Sequence, residues 1–235
     1  MPYTVSGIIN FDQLMEWIEA ETNRIDDTIT NWVKGQKKII TSSSFQSHSI
    51  PLLHLVSKID LQIPVYFLNT GFHFAETLAY KNEITTLLGI NTIDLVSATD
   101  KIFQKDNFGR FLYTSEPTYC CYLNKILPME EVLIENDIWI AGVRKDQTST
   151  RNSFNEIEEG PHNTKRYHPI LNWTSKMIYE YQQAFNLPSH PLEESGFLSV
   201  GCEPCTSKYI SSEREGRWQG LKKDECGLHT DLIKK

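Results

Sequence analysis

Short apolar, β-branched runs alternating with helical segments constrain this chain more than any other feature. Residues 9–34 carry Phe11, Leu14, Met15, Trp17, Ile18, Ile25, Ile29, Trp32 and Val33 at roughly helical spacing, which predicts a first helix. Lys37–Thr41 then reads as a short strand, Ile50–Val56 as a helix with Pro51 in its first turn, and Pro64–Leu68 as a buried strand. The pattern continues with a helix over 74–88, strands over 91–97 and 137–143 with a helix over 125–135 between them, a weaker strand over 167–171, and a helix over 175–185. Parallel strands need crossover connections, so the expectation is an α/β fold with a doubly wound, mostly parallel sheet. From Pro188 onward the periodicity fades into Gly, Ser, Cys and charged residues. One domain over 1–235 is expected, with an α/β core over about 1–187 and a cysteine-bearing tail over about 188–235.

With 235 residues, 40% of them hydrophobic, the chain can bury one sizeable core. No run approaches the roughly 18 consecutive apolar residues of a membrane helix. The opening Met-Pro-Tyr-Thr-Val lacks the basic-then-apolar pattern of a secretory signal. A cytoplasmic protein with no membrane partner is expected. The formal net charge of −7 argues against nucleic acid as a partner, since neutralising a phosphate backbone needs a basic face. A few converging Arg and Lys would still suffice for one small anion. Oligomeric state is not legible, and a homo-oligomer is left open.

Five cysteines fall as Cys120-Cys121, Cys202-Glu-Pro-Cys205 and a solitary Cys226. An odd number suits a disulfide framework poorly. Two residues between thiols let both reach one metal or cluster, although the same spacing also serves redox dithiols. Adjacent cysteines bridge each other only in a strained ring, and both would crowd one zinc ion. A four-thiolate iron–sulfur site is therefore favoured over structural zinc or coincidental packing. Lys125 lies four residues after Cys121, on the same face if a helix begins there; as a cation it would offset cluster charge and meet an anionic ligand, but on its own it reads as a solvated surface lysine. Cys226 sits nine residues from the end, beside Lys222, Lys223 and His229, which favour the thiolate, and Asp224 and Glu225, which oppose it. Such a position suits a nucleophile on a mobile tail, and equally an idle one.

Ligands of a doubly wound sheet bind beyond the carboxyl ends of its strands, which points to loops 42–49, 69–76 and 142–151. Ser43, Ser44, Ser47 and Ser49 could offer hydroxyls and backbone N–H groups to a phosphate or sulfate, or simply cap a helix. Arg144, Lys145 and Arg151 follow the fourth strand, and Arg214 and Arg217 stand three apart beyond the C-x-x-C. Arginine forks match phosphate and sulfate oxygens in a bidentate way.

Taken together, Cys120-Cys121, Ala141-Gly-Val-Arg-Lys-Asp-Gln-Thr-Ser-Thr-Arg151, Gly201-Cys-Glu-Pro-Cys-Thr206, Arg214-Glu-Gly-Arg-Trp218 and Glu225-Cys-Gly-Leu-His229 resemble the assimilatory adenylyl-sulfate reductases of the iron–sulfur type. The resemblance runs from about residue 38 to 229. It implies the adenine nucleotide α-hydrolase fold and a [4Fe–4S] cluster on Cys120, Cys121, Cys202 and Cys205. It also implies attack by Cys226 on adenosine 5′-phosphosulfate, giving AMP and a sulfonated cysteine that thioredoxin or glutaredoxin resolves to sulfite. By the same resemblance Lys125, Arg144, Arg151, Arg214, Arg217, His229 and the Ser43–Ser49 loop would contact substrate. Departures from the family pattern are Phe45-Gln46, where glycine is frequent, Asn69, where aspartate is usual, Phe72, and a one-residue shortening before Arg214. Two alternatives share the fold: a reductase of 3′-phosphoadenylyl sulfate (or one accepting both nucleotides), which commonly lacks the four cluster cysteines, and an ATP-pyrophosphatase, whose Ser-Gly-Gly-x-Asp-Ser is missing. A zinc-stabilised nucleotide-binding module without catalysis is the third.

Overall fold

The computed structural model describes residues 11–208, 216–218 and 225–232. In chain order the regular elements begin with α1 (Phe11–Lys34), β1 (Ile39–Ser42), α2 (Ile50–Ile59), β2 (Val65–Leu68), α3 (Ala75–Leu88) and β3 (Thr92–Leu95). They continue with α4 (Leu112–Ser115), α5 (Pro117–Cys121), α6 (Leu127–Ile134), β4 (Ile138–Ala141), α7 (Ser149–Asn152), β5 (Ile157–Glu159), β6 (Lys165–Tyr167) and α8 (Ser175–Ala184). The six strands run in the order β3-β2-β1-β4-β6-β5, all neighbours parallel except the β5–β6 pair. Strand order reverses between β1 and β4, so the loops after those two strands flank the crevice where such sheets bind ligands.

Period-two alternation assigns each strand side chain to one of two cores. Ile39, Val65, Phe67, Ile138, Ile140 and Tyr167 join the core formed with α1, α2, α3 and α8, whereas Ile40, Leu68, Trp139 and Ala141 join Met129 and Leu133 of α6 on the opposite face. Trp17, Ile18, Ile25 and Ile29 form the buried stripe of α1. The helix is pinned by the Trp17–Trp173 ring contact at 4.7 Å and by Trp173 Nε1 donating to Glu21 at 2.9 Å. Ile25 and Ile29 are fully buried, each contributing about 1.5–3 kcal/mol through apolar burial. Gly89 closes α3 in the left-handed conformation at φ 63°, and Thr174 caps α8 by accepting from the Met177 N–H at 3.3 Å.

Two expectations need correction. The strand expected over 167–171 is β6, ending at Tyr167: His168 N donates to Glu156 O, and Pro169 has no N–H to continue the ladder. The antiparallel edge strand β5 escaped notice because its three residues, Ile-Glu-Glu, carry almost no apolar signal. Among the described residues no helix is long and apolar enough to cross a membrane.

Candidate active site

The loop after β1 is shaped by Phe45, whose φ of 51° lies in the left-handed region. Its ring is completely buried, edge-on to Phe67 at 5.7 Å, and its N–H donates to Ser43 Oγ at 3.1 Å. Burial of the ring thus holds a backbone geometry that glycine would adopt without strain. The turn Ser47–Ser49 then leads directly into α2. Ser43, Ser44 and Ser49 line the crevice, with Ser44 Oγ 3.3 Å from Ser49 Oγ. Ser47 does not line it: its buried hydroxyl accepts from the His190 N–H at 2.7 Å, so its role is to hold the loop rather than to meet a ligand. Gln46 accepts from the Val200 N–H at 3.1 Å and ties this loop to the cysteine loop.

After β2, Asn69 performs the turn function of the expected aspartate: its side-chain oxygen accepts from Gly71 N–H at 3.1 Å while its amide donates to Asp94 at 2.9 Å. Gly71 takes φ 71° there. His73 lines the crevice with Nε2 2.9 Å from Leu68 O and Nδ1 buried without a partner among the described residues. Burial, outweighing the Leu68 carbonyl, brings the His73 imidazole down to about 4, so it is neutral near pH 7.

Cys120 and Cys121 end α5, and the chain continues through one π-helical turn, Tyr122–Ile126, before α6 begins. The helix expected over 125–135 therefore starts later, and the wider turn reorients Asn124 and Lys125. Asn124 donates to the Cys120 carbonyl at 2.8 Å and exchanges amide hydrogen bonds with Gln104 at 2.6 and 3.0 Å, all buried. Opposite, Cys202 O accepts from Cys205 N–H (3.0 Å) and from Thr206 Oγ1 (2.9 Å), and Thr70 Oγ1 lies 3.2 Å from Cys202 Sγ. A single antiparallel pair, His73 with Cys202, joins this loop to the one after β2. All four cysteines line one small, almost wholly apolar cavity together with Lys125 and Arg217. Burial first, and then Cys121, Cys202 and Cys205, push the Cys120 thiol up to about 12; burial and its cysteine neighbours raise Cys205 as well. Burial alone would lower Lys125, but Cys202, Cys226 and Cys121 outweigh it and raise the ammonium above its ordinary range. Four thiols gathered in one apolar wall are a donor set suited to a multiply charged inorganic centre. Among the described residues no three Cys, His, Asp or Glu side chains converge at single-ion distances.

Arg217 pairs across to Thr206, donates to Val200 O at 3.2 Å and lies over the Trp218 ring at 4.6 Å. Its guanidinium packs so closely on Gly201 that any Cβ there would collide with it. Arg214 lies outside the described residues.

Cys226 is half-buried and lines the crevice with Lys125, Arg151, Arg217 and His229. The segment is docked rather than loose: Leu232 is buried with Trp139 and Leu133, and Leu228 packs on the same core. Gly227 lies so near Ile126 that a Cβ would meet its Cδ1 at 2.6 Å. Glu225, read from sequence only as a charge opposing the thiolate, is a buried anchor. It accepts from Arg151 Nε (2.9 Å) and Nη2 (2.7 Å), from Thr148 Oγ1 (3.0 Å) and from the Cys226 N–H (2.9 Å). Arg151 Nη1 also bonds Gln147, so the guanidinium expected to meet substrate is engaged within the protein. His229 Nδ1 is 3.3 Å from Arg166, a buried guanidinium stacked between Trp139 and Phe154. Burial lowers Arg166 to about 10, partly offset by Glu158.

Arg144 does not reach the crevice, contrary to its expected contact with substrate. It is fully buried and bonded to Asp146 (3.0 Å) and Ser175 Oγ (2.8 Å), where it secures the loop after β4 to the start of α8. Sequence reasoning passed over His73, Gln147 and Arg166 because each is a single polar residue inside an otherwise ordinary loop or strand.

The family model described as the phosphoadenosine phosphosulfate reductase domain matches residues 38–208. A protein of Bacillus cytotoxicus named adenosine 5′-phosphosulfate reductase is 35% identical over 92% of this chain and 94% of its own. A Gloeobacter violaceus phosphoadenosine 5′-phosphosulfate reductase is 33% identical over 82% of each chain. In fold, the chain is similar to the phosphate complex of a Candida auris phosphoadenylyl-sulfate reductase (TM-score 0.63, 17% identity, 87% of this chain and 100% of that one). The NH3-dependent NAD synthetase of Campylobacter jejuni is more distant (TM-score 0.51, 14% identity, 72% and 73%). The sheet order, the crevice at its switch point and these matches agree, and the chain belongs to the phosphoadenosine phosphosulfate reductase domain family.

Proposed function

We propose that this protein reduces adenosine 5′-phosphosulfate to sulfite and AMP. The observation that carries the proposal is the placement of Cys226 in the switch-point crevice beside Lys125, Arg217 and the serine loop, against a pocket walled by the other four cysteines. The Cys226 thiolate attacks the sulfate sulfur, the sulfur–oxygen bond to the phosphate breaks, and AMP leaves with the electron pair. Lys125 and Arg217 stand where fixed positive charge stabilises the charge developing on the phosphosulfate, and Ser43, Ser44 and Ser49 can hold the nucleotide phosphate. His229, beside Cys226, adds a donor at the same end. A dithiol reductant of the thioredoxin or glutaredoxin class then attacks Cys226 Sγ, sulfite departs, and the second thiol resolves the mixed disulfide. The two electrons come from that dithiol.

Cys120, Cys121, Cys202 and Cys205 would hold a [4Fe–4S] cluster, whose separate irons accept adjacent and spread thiolates more readily than one zinc ion. Bound there, the cluster would brace the two cysteine loops and would add a local field on Lys125. The four-cysteine set favours the nucleotide without a 3′-phosphate, and a cytoplasmic setting with an external reductant fits the same reading. Anaerobic purification followed by iron and sulfide analysis and a sulfite-release assay with Cys226→Ser tests it. About four irons and four sulfides per chain are expected, with no sulfite from the variant. A zinc-bound protein, or an active variant, would overturn it.

A further inference from the structure

The segment carrying Cys226 needs something to seat it, because its described residues form one short turn over 227–231 and Cys226 itself is half-buried. Leu228 and Leu232 give it an apolar foothold, but apolar contacts do not fix orientation to the precision that attack on sulfur requires. Among the described residues the segment's polar fixing comes from the contact of His229 Nδ1 with Arg166 and, nearest the thiol, from one carboxylate. Glu225 is buried, and its two oxygens are divided with purpose: Oε2 takes Arg151 Nε and Thr148 Oγ1, while Oε1 takes Arg151 Nη2 and the backbone N–H of Cys226 itself. Arg151 and Thr148 belong to α7 and its cap, immediately beyond the β4 edge of the crevice, so the carboxylate bonds the nucleophile's own backbone directly to the sheet's switch point.

We propose that Glu225 is the positioning residue of this enzyme, a charge-assisted latch on Arg151 and Thr148 that seats Cys226 in the crevice. The proposal rests on Cys226 being the nucleophile. It reassigns Arg151 from a substrate ligand to the fixed half of the latch, since Glu225 and Gln147 occupy its nitrogens. Charge is essential to it: in Glu225→Gln the side-chain amide would present N–H to a guanidinium N–H, so that one of the two fork contacts becomes a donor–donor clash.

The test compares wild type, Glu225→Gln and Glu225→Asp as the cluster-loaded full chain. The first readout is the rate at which iodoacetamide alkylates Cys226 without nucleotide, followed by peptide mass spectrometry. The second is the rate at which substrate sulfonates Cys226 in the absence of reductant, and the third is AMP affinity. Glu225→Gln is expected to alkylate about tenfold faster and to sulfonate about tenfold slower, the factor that corresponds to about 1.4 kcal/mol of docking. AMP affinity should stay close to wild type, and Glu225→Asp should fall between the two. Unchanged alkylation would overturn the latch, as would loss of AMP binding in step with activity, which a merely structural role predicts. Should Glu225→Gln not fold, the aspartate variant decides by the same alkylation rate. Sulfite release by Cys226→Ser would instead defeat the assignment of the nucleophile, while the alkylation comparison would still report on the latch.

Discussion

Phe45 offers a quantitative test of how the serine loop is held. Its side chain is fully buried and edge-on to Phe67, yet its φ of 51° is one that side chains with a Cβ adopt at a cost of about 1–2 kcal/mol. Removing the ring creates a cavity, and Phe→Ala changes in cores cost about 3–5 kcal/mol. Alanine keeps the backbone strain, whereas glycine relieves it but adds about 0.4–1 kcal/mol of unfolded-chain entropy. Phe45→Gly should therefore be the more stable of the two by up to about 1.6 kcal/mol, the reverse of the usual Gly–Ala order. For a chain of this size about 1 kcal/mol moves Tm by roughly 2–4 °C, so Phe45→Ala should melt about 6–20 °C below wild type and Phe45→Gly a few degrees above the alanine variant. Thermal melts of the cluster-loaded protein, with urea midpoints as a second probe, give the ranking. An alanine variant equal to or more stable than the glycine variant would refute the argument that ring burial sustains a strained turn.

Replacing Lys125 with Met should lower kcat/KM for adenosine 5′-phosphosulfate about 10²–10³-fold, the scale of losing one fixed donor at a developing charge; steady-state kinetics with an intact visible spectrum checks it. Asn124→Leu should destabilise by about 1–3 kcal/mol, because the buried Gln104 Oε1 loses its donor; denaturant midpoints report this. His54 and His190 are held neutral, each brought down to about 4 chiefly by burial. The unfolded chain therefore binds more protons between its own value near 6.5 and about 4, so stability is present above that window and falls as pH drops through it. Tm should decline from pH 7 to pH 5, and a Tm that rises over this range would contradict the assignment.

The fold was largely readable because apolar runs such as Ile138-Trp-Ile-Ala141 and the stripe of α1 carry their periodicity in adjacent residues. The β5 edge was not, since Ile157-Glu-Glu159 has one apolar residue and owes its strand state to pairing with β6. The four paired cysteines and Cys226 converge on one end of the sheet in line with their spacing. The arginines were harder to place: Arg144, Arg151 and Arg217 look alike in sequence, yet Asp146, Glu225 and the Trp218 ring give them three different tasks. Partner choice across more than seventy residues, as for Arg151 and Glu225, leaves no local signature. The π-helical turn after Cys121 is equally silent, because Tyr122–Ile126 has an ordinary helical composition.

The most direct test of the central claim is a single-turnover reaction without reductant. The cluster-loaded enzyme is mixed with one equivalent of adenosine 5′-phosphosulfate, quenched and digested for mass spectrometry. The account predicts one SO₃ group on the peptide bearing Cys226, an equal amount of AMP in solution, and release of that group as one equivalent of sulfite when a dithiol is added. AMP and sulfite formed with no modification of Cys226, or with the group on any of the other four cysteines, would contradict it.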